Sequence, residues 1–214
     1  MIKSRTTRTT RTNNPARTMS DIIAVATTEF ADKGLSGGRI DAIALQTQTS
    51  KRMIYYYFGS KEGLYIAVLE DAYRRIRSIE ASLHLEDLPP VEALKKLVSF
   101  SFDYHCANPE FVRLVSNENI HYGEYSKQSK LIKSLNTPAI NGLKIVYQRG
   151  VDAKVFRAGL DVIDMHMSIS AMSFHYVANQ HTFGTIFGLD FAKSKTMEQR
   201  RKNIVDMMLR FVQA

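Results

Sequence analysis

One cysteine, no tryptophan and five prolines in 214 residues exclude several architectures at once. Cys106 alone can form neither an internal disulfide nor a cysteine-based zinc cluster, which fits a reducing compartment. No run approaches the roughly 18 consecutive apolar residues of a membrane helix, and the Thr- and Arg-rich start lacks the apolar stretch of a secretion signal. The sequence therefore predicts a soluble, cytoplasmic protein with no membrane contact. Nucleophile–base pairs at motif spacing, Gly-rich phosphate loops and metal-ligand clusters are also missing, so neither an enzyme nor a bound cofactor is expected. With 44% hydrophobic and 23% charged residues, whole-chain disorder and a coiled-coil rod are both disfavoured. The length suits one large domain or two unequal ones.

Acidic residues are missing from one place in particular. Residues 1–18 carry Lys3, Arg5, Arg8, Arg11 and Arg17 and no acid, which accounts for five of the eight net positive charges and leaves three for the rest. Residues 19–80 hold eight basic and eight acidic side chains and are neutral overall, unlike a non-specific nucleoid protein, which would be broadly basic. The spacing of Arg5, Arg8 and Arg11, with almost nothing to bury around them, predicts a flexible arm over 1–18. Such an arm can reach phosphates or a narrow minor groove, or it can be a solubilising tail.

Beyond the arm the periodicity is helical throughout, and the fold class expected is all-α. Ile23, Ala26 and Phe30 mark a first helix from Ser20 to Lys33-Gly34. Ile40, Ile43 and Ala44 mark a short second helix, and Thr47-Gln48-Thr49 a polar break. Ser50 is placed to cap a third helix, Lys51 to about Phe58, and Ser60 a fourth running to about Leu83, in which Gly63 is a weak spot. Two short helices joined by a tight turn and packed on a third make a helix-turn-helix over 19–65. Pro89-Pro90 closes the connecting helix at about 85, and a second helical domain is expected over 90–214. Within it, Pro109 opens a helix, Pro138 should kink or split the helix Leu131–Gly150, and Asp161 to about Phe187 reads as one long, nearly all-apolar helix. The last helix, Thr196–Val212, carries two apolar stripes, Ile204/Met208/Phe211 and Val205/Leu209/Val212.

The densest chemical signal lies between Arg39 and Lys61. The third helix presents Lys51, Arg52, Tyr55 and Tyr56 outward with Ile54 and Phe58 turned in, which combines cations with aromatic hydroxyls and suits an anionic groove. Ser50 and the free amides at this helix start, with Lys61 at the next, are placed for phosphate contact. In their order and spacing, Phe30-Ala31-Asp32-Lys33-Gly34, Ile43-Ala44, Ser50-Lys51, Ile54-Tyr55-Tyr56-Tyr57-Phe58 and Lys61-Glu62-Gly63-Leu64 resemble the TetR family of bacterial transcriptional regulators over about the first 65 residues. The resemblance implies operator contacts from Arg39, Ser50, Lys51, Arg52, Met53, Tyr55, Tyr56, Tyr57 and Lys61, with the third helix in the major groove. Tyr55 is expected half-buried against the first helix. Departures are visible. The turn has Gln48 where the family often has Gly, so its backbone must avoid positive φ or carry strain; Tyr57 replaces a frequent His, and Arg52 a small residue.

The resemblance extends more weakly over 90–214 and implies a ligand-binding domain and a homodimer held by the last two long helices of each chain. Ala107 to Arg113 and Asn117-Glu118-Asn119 are similar to the branch regulating nucleobase and aromatic-compound catabolism. Polar residues placed to line an effector pocket are His105, Asn117, His121, Tyr147, His175 and Asn179, with Phe102 and Phe174 as walls. His166, His175 and His181, at spacings of nine and six, do not share a helical face, so no metal site is expected. The leading reading is a repressor that binds a palindromic operator in double-stranded DNA as a dimer and is released by an unknown small molecule. The alternative is a small-molecule-binding helical protein or enzyme whose DNA-binding head is not functional. If the arm reaches DNA, deleting residues 1–15 should weaken binding and flatten the log-affinity against log-salt slope by about one unit per phosphate-bound cation. An unchanged slope would make it a tail.

Overall fold

Residues 14–213 are described by the computed structural model. They form ten α-helices: α1 (Pro15–Gly37), α2 (Ile40–Gln46), α3 (Lys51–Phe58), α4 (Lys61–Ala81), α5 (Pro90–Ala107), α6 (Pro109–Ile120), α7 (Lys130–Asp152), α8 (Val162–Ala178), α9 (Gln180–Phe187) and α10 (Ser194–Val212). Short 3₁₀ turns stand at Leu85–Asp87 and Ser126–Gln128. Among the described residues there is no strand. An isolated bridge, Phe156 to Gln213, ties the α7–α8 loop to the end of α10.

The first helix starts earlier than its apolar pattern suggested. Asn14 caps it, its Oδ1 accepting from the Arg17 amide at 3.2 Å, and Pro15 occupies the first turn, where a missing N–H costs nothing. Residues 15–18 are thus helix rather than arm, and Arg17 belongs to the first turn of α1. Arg5, Arg8 and Arg11 lie outside the described residues. The inward register also differs by one position: Ile22, not Ile23, is fully buried, together with Ala26 and Phe30. At the other end Gly34 adopts φ 67°, which breaks the helical run near the expected stop before one more turn to Gly37.

Around α1 the helix-turn-helix closes on a small core of Phe30, Ile43, Ile54 and Leu64, all fully buried, with Tyr65 set edge-on to Phe30 at 5.3 Å. Ser50 Oγ accepts from the Met53 amide and Ser60 Oγ from the Gly63 amide, so both caps hold the helix starts rigidly. Between α2 and α3, Gln48 takes φ 51°, a left-handed conformation that costs a non-glycine residue about 1–2 kcal/mol. The turn thus carries strain where a glycine would carry none.

Gly63 is a requirement of the packing rather than a weak spot. A Cβ there would stand 2.0 Å from the Phe58 carbonyl oxygen, so only glycine lets α4 start directly against the end of α3. In the second half α5 is central, packing on α7, α8 and α10, while α6 lies across α1 and α8. Pro138 is tolerated inside α7, which is not split. The apolar stretch expected as one helix is two, because Asn179 leaves helical geometry (φ −107°, ψ 6°) after its amide bonds the His175 carbonyl, and α9 then departs. On α10 the buried stripe is Ile204, Met208 and Val212; Phe211 is exposed and lies under the Arg157 guanidinium at 4.8 Å. Gly63→Ala should destabilise the protein by about 2 kcal/mol or more through backbone displacement at the α3–α4 junction; a urea midpoint equal to the parent's would show that the junction can yield.

Candidate nucleic-acid interface and effector cavity

On the reading head, α3 is a two-turn helix whose inner side is anchored by fully buried Ile54 and partly buried Phe58. Its outer side exposes Lys51, Arg52, Tyr55 and Tyr56, the last at 77%. Tyr55 is exposed rather than half-buried. The tyrosine that packs on the core is Tyr57, edge-on to both Tyr56 and Phe58, because it is three residues from the inward Ile54. Met53 is partly buried, and Ser50 already uses its hydroxyl on the Met53 amide. Lys51 pairs with Asp41 of α2, and Lys61 donates to the Ser36 carbonyl at 3.2 Å. Arg39 has an exposed side chain, while its amide donates to the buried Glu29 carboxylate at 2.9 Å. Lys33 also binds Glu29, and these bonds hold its carboxyl below the usual carboxylate range against the burial that would raise it. Arg39, Lys51, Arg52, Tyr55, Tyr56 and Lys61 thus lie on one unit formed by α1, α2, α3 and the start of α4.

In the second half a cavity of about 600 Å³ lies between α4, α5, α6, α7 and α8. Two of the residues expected in a pocket border it, His105 and Phe174. The others are placed elsewhere for identifiable reasons. Phe102 is buried in the core against Tyr176 at 5.2 Å. Asn117 turns toward α1, its amide 3.5 Å from the Phe30 carbonyl. His121 ends α6, with Nδ1 2.8 Å from the Asn117 carbonyl. Tyr147 staples the α7–α8 loop, donating to the Arg157 carbonyl and accepting from the Leu160 amide. His175 packs on Phe183 outside the cavity, and Asn179 ends α8.

Sequence reasoning missed polar residues that do border it: Tyr73, Arg77 and Glu80 on α4, Asn136 on α7 and His166 on α8, besides Ser101, Asn119 and Ser170. A signal was present on α4, where Tyr73, Arg77 and Glu80 continue the three- and four-residue spacing of the buried Leu69, Ala72 and Ile76. Charges on an apolar face need partners, and these have them. Arg77 binds Glu80 through Nη1 and donates from Nε to Asn136 Oδ1 at 2.9 Å. The Asn136 amide in turn donates to the Ile132 carbonyl. Burial nevertheless holds the Glu80 carboxyl above its ordinary range. His105 and His166 are both pushed down to about 4, mainly by burial and secondarily by the Arg77 charge. Burial pushes the Cys106 thiol up to about 11, the opposite of what a redox-reactive cysteine needs.

Two paths join cavity and head. Helix α4 runs from Leu64 and Tyr65, under the head, to Arg77 and Glu80 in the cavity wall. Helix α6, which lends Phe111 and Val115 to the cavity, meets α1 through the Arg113–Asp32 pair and through Thr28, whose hydroxyl donates to Glu110 at 2.7 Å.

Residues 22–68 match the family model of bacterial regulatory proteins of the tetR family, and residues 90–208 match a Tetracyclin repressor-like C-terminal domain. The chain belongs to the TetR family of bacterial transcriptional regulators. It is 34% identical over 200 residues to the HTH-type transcriptional repressor NicS of Pseudomonas putida, covering 94% of each chain. It is 33% identical over 110 residues to the HTH-type transcriptional repressor SCO4008 of Streptomyces coelicolor, covering 51% of this chain and 54% of that one. The fold is shared with the crystal structure of the transcriptional regulator SCO4942 from Streptomyces coelicolor, with a TM-score of 0.68 at 24% identity over 91% of this chain and 98% of that one. As a TetR-family member the chain is a DNA-binding transcriptional regulator. Among the described residues no helix is long and apolar enough to cross a membrane.

The two neutral histidines make this TetR-family domain sensitive to acid. Their folded pKa lies below the unfolded value near 6.5, so between about pH 6.5 and 4 the unfolded chain binds more protons, and stability falls as the pH falls through that window. Each histidine contributes on the order of 3 kcal/mol to the full loss. The urea midpoint should drop from pH 7 to pH 4.5, and His166→Asn should remove a large part of the drop; an identical drop in the variant would show that His166 titrates normally.

Proposed function

We propose that the protein is a cytoplasmic, ligand-released repressor that clamps a palindromic operator as a homodimer. The observation that carries the reading is the outer face of α3, where Arg52, Tyr55 and Tyr56 stand exposed beside Lys51 on a capped helix anchored by Ile54. Cations and phenol hydroxyls on a helix of this width suit the major groove, with Arg52 able to reach guanine and Ser50, Lys61 and Arg39 positioned near phosphates. The relatives' names as transcriptional repressors support the sign of regulation.

Dimerisation through α8 and α10 fits the apolar groups they leave in solvent: Ile163 and Met167 on α8, Met207 and Phe211 on α10, with Phe183 and Ile186 on the intervening α9. A two-fold pair would set two reading heads about 34 Å apart, one turn of DNA. The effector occupies the cavity of about 600 Å³, and filling it shifts α4 and α6, hence the separation of the heads. Gel shift with the DNA flanking the gene tests this: a palindromic site should be retarded, and Arg52→Ala with Tyr56→Ala should weaken that site at least about tenfold while leaving weak non-specific binding. Equal retention of any duplex by the parent protein would refute a specific operator.

A further inference from the structure

Among the polar groups bordering the cavity, His105 is the one whose ring nitrogens have their roles defined by a buried neighbour. Ser173 on α8 is fully buried, with Oγ 2.8 Å from the Ile169 carbonyl and 3.1 Å from the Ser170 carbonyl. The contact to Ile169 is the shortest of the three around this hydroxyl, which places its single proton on that carbonyl and leaves its oxygen to accept. His105 Nδ1 stands 3.1 Å from that oxygen, so Nδ1 carries the ring proton and donates. In a neutral imidazole so arranged, Nε2 is bare and accepts. Among the described residues no donor is bonded to Nε2, and the ring is 4% exposed at the cavity wall.

The surrounding charges are already matched. Arg77 is held by Glu80 and Asn136, and His166 is neutral like His105. An anionic guest would meet a wall whose one cation among the described residues, Arg77, is already paired with Glu80. The wall around His105 is ring surface: Phe111 stacks on it with centroids 5.8 Å apart and planes 10° from parallel, and Phe174 stands edge-on at 5.7 Å. We infer that the effector is an uncharged ring compound that donates a hydroxyl or N–H hydrogen to His105 Nε2, and that His105 is the residue selecting such a donor over a carboxylate. The inference rests on the cavity being the effector site. It goes further in specifying the protonation, charge and shape of what binds there.

The test uses the full chain and three matched probes: phenol, a neutral donor; anisole, the same ring without a donor; and benzoate, the anion. Long-range ¹H–¹⁵N spectra of the imidazole nitrogens should show His105 protonated on Nδ1 alone at pH 7. Titration should give phenol binding at least about tenfold tighter than either other probe, a hydrogen bond's worth of discrimination, with a shift of the Nε2 resonance. His105→Phe keeps the ring stacked on Phe111 and should erase phenol's advantage. Ser173→Ala releases Nδ1 and should give mixed tautomers, a readout that survives even if the first variant misfolds. A ring protonated on Nε2 in the parent, benzoate binding more tightly than phenol, equal binding of all three probes, or binding of none would each overturn the inference. Gel shift without any probe reads the operator separately, so loss of DNA binding would refute the repressor reading while leaving the titration result to stand or fall by itself.

Discussion

Helix α4 is shared property, and the rest of the molecule is arranged around that fact. Its first turns bury Leu64, Tyr65 and Val68 beneath α1 and α3, and its later turns bury Ala72 and Ile76 against the second half before presenting Arg77 and Glu80 to the cavity. A continuous 21-residue helix spans about 30 Å and cannot bend locally without losing backbone hydrogen bonds. Whatever displaces its cavity end must therefore tilt its head end, or strain the junction at Gly63 where no room for adjustment exists. The second connection, from α6 to α1 through Arg113–Asp32 and Thr28–Glu110, runs over the surface, where ion pairs are worth little alone.

A polar wall inside a helical core is costly unless its charged members are satisfied, and the Arg77–Glu80 pair at its centre is. Arg77 neutralises Glu80, Asn136 spends its carbonyl on Arg77 and its amide on α7, and Ser173 orients His105. Aromatic rings, aliphatic side chains and polar groups share the remaining wall. Glu118, buried like Glu29, accepts from the Ser126 amide through Oε2 at 2.8 Å, and burial followed by the Glu118 charge pushes the Tyr65 hydroxyl's pKa upward. It sits between cavity and head, on the C-terminal part of α6.

Much of the head was legible in the chain because its signals are local. Ser50 and Ser60 announce caps by type and position, Ile43, Ile54 and Leu64 announce the core by spacing, and the family resemblance binds them in order. The register of α1 was misread by one residue because Ile22 and Ile23 are adjacent and equally apolar, and only the packing of Phe30 and Tyr65 decides between them. Gln48 was correctly seen as a conflict with positive φ, and the fold accepts the strain. The cavity was much less readable. Its walls come from five helices, and residues such as His175 and Tyr147 are indistinguishable in sequence from true lining residues until helix rotation is known. The break at Asn179 was hidden for a related reason: apolar residues continue on both sides, and a single capping hydrogen bond carries no periodic signature.

The ion pair between Lys51 and Asp41 gives the reading head a property distinct from shape. In the free protein the first cation of α3 already has a partner, so an approaching phosphate must compete with a carboxylate that then stays nearby as a repulsive neighbour. That handicap is the same for every DNA sequence. A handicap common to all sequences cancels in the ratio of specific to random binding, so it would shorten the head's stay on any duplex and leave discrimination to contacts with base edges.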